Sequence, residues 1–112
     1  MKPAPWIIAL CVAAPLAAAH AAAAENPPPP SQLGLCAPCH GEDGHARIPG
    51  APNLAGQPYQ YLLQALHEYR NGQRNVPVMR AAAGPLGEAD MQALAHWFSA
   101  QSPCQPGQAG SP

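Results

Sequence analysis

The sequence predicts a small all-α domain of about three short helices gathered around something that is not protein. Three observations lead there. No run of four or more residues alternates in the way a half-buried strand requires. Two segments carry apolar residues at helical spacing, bounded by proline and glycine. The core supply is thin: 47 % of the 112 residues are hydrophobic, but 11 of the 24 alanines lie in the first 24 positions. The other 88 residues hold 18 large apolar side chains beside 13 prolines and 10 glycines. A domain of this size is marginal even with a good core, and often needs disulfides, a metal or a cofactor. The composition argues against a self-sufficient enzyme with a deep substrate cavity. It leaves a largely disordered chain or a small fold built around a non-protein group.

Residues 1–24 have the layout of a secretory signal peptide. Lys2 gives a positive start, Trp6 to Ala19 are apolar apart from Pro15, and Ala22-Ala23-Ala24 fits a cleavage signal before Glu25. The apolar part falls short of the roughly 20 residues of a spanning helix, so the mature chain is expected to carry no membrane span. Cys11 lies inside this leader and is removed with it. Residues 25–30 end in four prolines and read as an extended spacer. Residues 31–101 form the domain, and residues 102–112, rich in Pro and Gly, a flexible tail. The first helix is short, with Ser31 available as its cap and Leu33 to Leu35 leading into Cys36. In the second, Pro58 suits the first position, Leu62, Leu66 and Tyr69 share a face, and Gly72 ends it. The third follows Gly84-Pro85-Leu86, with Glu88 and Asp90 in its first turn and Met91, Leu94, Ala95 and Phe98 as its apolar stripe. The segment between the last two helices reads as loop.

Past the leader, four arginines face six acids, and no basic stripe or run of like charges occurs. Phosphate-driven binding of nucleic acid is therefore not expected.

Cys36-Ala37-Pro38-Cys39-His40 is a C-x-x-C-H string, the attachment sequence of c-type haem. Residues three apart on a helix point to the same side. Two thiols so placed can form thioethers to the two vinyl groups of a porphyrin, and the next residue, His40, offers a ring nitrogen to the iron. Two rival readings use the same residues. A thioredoxin-like pair expects a βαβ context that this sequence lacks. A zinc site from Cys36, Cys39, His40 and Cys104 would explain the thiols but leave the apolar faces without a core.

From Cys36 to Gln101 the sequence resembles a class I cytochrome c of the short bacterial type, and either half of the dihaem periplasmic cytochromes. Beyond the haem string the resemblance rests on Asp43-Gly44, Pro52 to Gln57, Tyr61-Leu62, Leu66, Tyr69 to Arg74, Met79, and the helix from Leu86 to Ala100. The resemblance implies one covalently bound haem c with its iron, and the carriage of single electrons between transient redox protein partners in the periplasm. It implies Met79 as the second axial ligand, opposite His40. The soft, neutral thioether suits that place, and Met91 on the apolar stripe is better explained as core. His45, His67 and His96 read as surface side chains. The resemblance also implies that the backbone carbonyl of Pro52 accepts the other ring N–H of His40. Haem propionates need donors, and of Arg70, Arg74 and Arg80 the loop positions favour Arg74 and Arg80. Trp97 stands where the family packs its last helix against the first, with Gly34 permitting a close crossing. A haem enzyme or gas sensor with an open sixth position, or a zinc or thiol structural module, are the alternatives.

Overall fold

The computed structural model describes residues 1–4 and 26–104. The expected signal peptide lies almost wholly outside them, as do Cys11 and the tail from residue 105. Among the described residues there are four helices and no strand: α1 (Leu33–His40), α2 (Tyr59–Asn71), α3 (Pro77–Ala83) and α4 (Glu88–Ser99). None of these helices is long and apolar enough to cross a membrane.

The all-α expectation holds, with one helix more than the spacing suggested. That helix, α3, covers the segment read as loop. Val76 is extended, Pro77 occupies the first turn, where its missing N–H costs nothing, and Ala81 to Ala83 propagate the helix. Elsewhere the ends shift by a residue. Ser31 does not cap α1; Gln32 stands at that place and makes no side-chain cap. Pro58 is the residue before α2, and Gly72 closes that helix in the left-handed conformation at φ 83°. At α4 the acid side chain works in reverse: Asp90 accepts a hydrogen bond from the Gly87 backbone N–H at 3.2 Å.

The core is small. Leu62 from α2, Ala83 from α3, Leu86, and Met91, Leu94, Ala95 and Phe98 from α4 are buried together with Leu33 of α1. α2 packs against both α3 and α4. The whole apolar stripe foreseen for α4 is buried.

The loop between α1 and α2 is held by specific bonds. The Gly44 carbonyl accepts from the N–H groups of Leu54 (2.7 Å) and Ala55 (3.1 Å), folding the loop back on itself. Trp97 of α4 donates its indole N–H to the Glu42 carbonyl at 2.7 Å. Its link to the first part of the chain therefore runs through this loop, and Gly34 faces open space instead of a helix crossing. Contacts continue past Gln101: the Ser102 carbonyl accepts from His45 Nε2 at 3.1 Å, and Pro103 lies against Gly56.

Candidate functional site

A cavity of about 480 Å³ opens between the end of α1, the following loop and helices α2 to α4. Its size is that of a ligand site. α1 brings Cys36, Cys39 and His40 to one wall, because one helical turn sets the two thiols on the same side and His40 closes the helix. Leu62, Ala65 and Leu66 of α2 and Leu94, Ala95 and Phe98 of α4 make the apolar floor. Met79 of α3 lines the cavity as well.

His40 is buried, and its Nδ1–H donates to the Pro52 carbonyl at 2.9 Å. A carbonyl can only accept, so the proton sits on Nδ1 and the Nε2 lone pair is left for a metal. Pro52 reaches this position because Gly44 lets the loop double back; a further bond, Ala46 N–H to Asn53 Oδ1 at 2.8 Å, holds the neighbouring residues. Burial pushes the Cys36 thiol up to about 11, with the charge of Cys39 adding to it, so at neutral pH the free thiol stays protonated.

Among the described residues, Arg74 is the sole arginine or lysine on the cavity wall. Its Nε donates to Glu68, and its guanidinium stands 5.5 Å from the ring centre of Tyr61 and 5.6 Å from that of Tyr69. The hydrogen bond to Arg74, then that from Gln64, holds the Glu68 carboxyl below its ordinary value. Arg80 does not line the cavity. Successive helical residues point about 100° apart, so with Met79 turned inward Arg80 turns away, and its guanidinium lies beside Gly72. Arg70 is also turned elsewhere, donating to the Leu86 carbonyl at 3.3 Å.

His45, His67 and His96 do not line the cavity. His67 pairs with Glu88 at 2.9 Å and His96 is exposed. His45 departs from expectation: it is 8 % exposed, buried by the chain that follows α4. Met91 is fully buried in the core, away from the cavity. Among the described residues, no three His, Cys, Asp or Glu side chains gather around a common point, so Cys104 does not complete a zinc site with Cys36, Cys39 and His40. Two features escaped the sequence reading. Tyr61 as cavity wall was within reach, since it adjoins Leu62 on α2. Glu68 as the partner of Arg74 was not, because the bond spans the end of a helix and has no fixed spacing.

The donor set suits one group. Two half-buried thiols a helical turn apart, a buried imidazole with its second nitrogen already bonded, a thioether and an apolar slot fit a covalently bound haem c with its iron. The comparisons agree. The family model described as cytochrome c matches residues 31–101. The cytochrome c-554(548) of Halomonas halodenitrificans is 38 % identical over 73 residues, covering 62 % of this chain and 88 % of that protein. The thiosulfate dehydrogenase electron acceptor of Thiomonas intermedia is 40 % identical over 75 residues, covering 66 % of this chain but 35 % of its own length. The solved cytochrome c4 structure from Acidithiobacillus ferrooxidans matches with a TM-score of 0.54 at 38 % identity, covering 57 % of this chain and 37 % of that one. The chain thus spans about a third of the length of the latter two. With fold, cavity and matched residues in accord, the chain belongs to the cytochrome c family, whose haem c and iron the cavity is shaped to take.

Proposed function

We propose that this chain is a periplasmic single-electron carrier in which Cys36 and Cys39 attach the haem and His40 and Met79 ligate its iron. The observation that carries this reading is the meeting of both thiols, His40 and Met79 on one cavity wall system. Cys36 and Cys39 would each supply a thiol to one haem vinyl group. The S–H would add across the C=C, sulfur to one carbon and hydrogen to its neighbour, so that attachment would need no oxidant and would have no leaving group. When bound, the haem iron supplies a reversible one-electron couple. The protein's own residues hold that couple still. His40 is fixed by Pro52, Met79 by α3, and the apolar floor excludes water. Arg74 offers Nη donors to a propionate, since Glu68 takes only its Nε–H.

With both His40 and Met79 bound, the iron would keep no position for a substrate, which is the argument for a carrier over an enzyme. Export is supported by the leader-like first 24 residues and by the covalent haem, which is attached outside the cytoplasm. Ile48, Tyr61, Val76 and Val78 are exposed at the cavity rim, an apolar surface suited to brief contacts with redox proteins. The Thiomonas relative is named as the electron acceptor of a dehydrogenase. Acceptance of electrons from a redox enzyme is the role proposed here.

Carbon monoxide tests the ligand assignment. The ferrous protein is expected not to bind it, while Met79→Ala opens the iron and binds it. Binding by the native protein would instead favour a sensor or enzyme with an open sixth position.

A further inference from the structure

Arg74 is held to the cavity wall from several sides. Its Nε donates to Glu68, its backbone N–H donates to the Glu68 carbonyl at 3.1 Å, and its guanidinium lies by the rings of Tyr61 and Tyr69. Glu68 is itself fixed, accepting from Gln64 Nε2 at 2.7 Å. Glu68 does not line the cavity; it reaches it only through Arg74.

We infer that Glu68 is a positioning residue for the haem: it aims the Arg74 guanidinium at the cavity and offsets its charge, so that the pair sets the reduction potential. This rests on the proposed haem reading. A cation near the iron favours the ferrous state and an anion the ferric state, and the effect is larger beside an apolar, weakly screened cavity than in water. In the native chain the carboxylate and guanidinium form a nearly neutral unit. Removing the carboxylate leaves Arg74 as an unbalanced cation on the wall. Removing the guanidinium leaves Glu68 as an unbalanced anion. A pair that only tied off the end of α2 would change stability in the same sense in both cases and would not move the potential in opposite directions.

The test is spectroelectrochemical titration of the exported, haem-loaded full chain at neutral pH, comparing the native protein with Glu68→Gln, Arg74→Gln, the double variant and Glu68→Asp. The midpoint is expected to shift up in E68Q and down in R74Q. The double variant, with a neutral pair in place of an ion pair, falls nearer the native value than either single change. E68D retains the charge and lies nearer the native value than E68Q. Shifts of the same sign in E68Q and R74Q, or none in either, overturn the inference. The ferric charge-transfer band of sulfur ligation is read on every sample. Its absence from the native protein would overturn the haem-ligand reading itself, whereas its presence throughout without the opposed shifts would overturn only the role of Glu68.

Discussion

Gly44 has almost no freedom to be anything else. It sits at φ 77°, and a Cβ there would lie 2.5 Å from the Ala55 backbone nitrogen. Its carbonyl anchors the turn that carries Pro52 to His40, so a side chain would strain the backbone and displace the acceptor of the imidazole N–H. Gly44→Ala is expected to cost about 1–3 kcal/mol from the backbone alone, with the clash adding to it. A denaturant titration measures this. The Glu68 carboxyl gives a pH dependence of known sign. Its value is lowered in the folded chain, chiefly by the hydrogen bond from Arg74, then by that from Gln64, so its contribution is fully present above the ordinary 4.5. It is lost as the pH falls through the lowered folded value. The stability difference between the native protein and E68Q should therefore shrink on acidification below 4.5 and stay level from there to neutrality. At this scale the sequence was informative where chemistry requires contiguous residues, as in Cys36 to His40. It was silent where a contact joins distant positions: nothing near His45 announces its bond to Ser102, 57 residues away.

The helices differ in how much of their stability is their own. α2 and α4 have clear apolar faces and bury them against each other, which is why period and punctuation revealed both. α3 stayed hidden because Val76-Pro77-Val78-Met79 read as loop; the usable signal was proline at a first turn followed by alanines. α1 is the weak element. It has 8 residues, no side-chain cap and no acid in its first turn. Gly34 adds backbone freedom worth roughly 0.5–1 kcal/mol, and Pro38 removes a hydrogen bond within the helix. Such a helix does not stand alone. Two thioethers and an iron bond would hold it. A Cys36→Ser/Cys39→Ser chain, made without haem, is thus expected to lose helical circular dichroism beyond the share of α1, because the cavity floor on α2 and α4 loses its filling. Retention of the full helical signal would show that the protein core suffices.

At the scale of the whole domain, the described residues close around a cavity whose floor is drawn from the core. Among the described residues, eight buried side chains form the core cluster, and several of them, Leu62, Leu94, Ala95 and Phe98, face the cavity too. Core and cofactor site are therefore one surface, which is what the shortage of large apolar residues foretold. The domain's class and its haem string were legible because both follow from composition and local spacing. The closure of the fold was not, since it depends on Trp97, Ser102 and Pro103 gripping the loop after α1 at Glu42, His45 and Gly56. The most direct test of the central claim is the absorption spectrum of the exported chain in its oxidised and reduced states. A covalently retained haem, low-spin in both states, with the ferric charge-transfer band of a sulfur ligand that disappears in Met79→Ala, is the result expected. A folded chain without haem, or a high-spin native protein lacking that band, would contradict it.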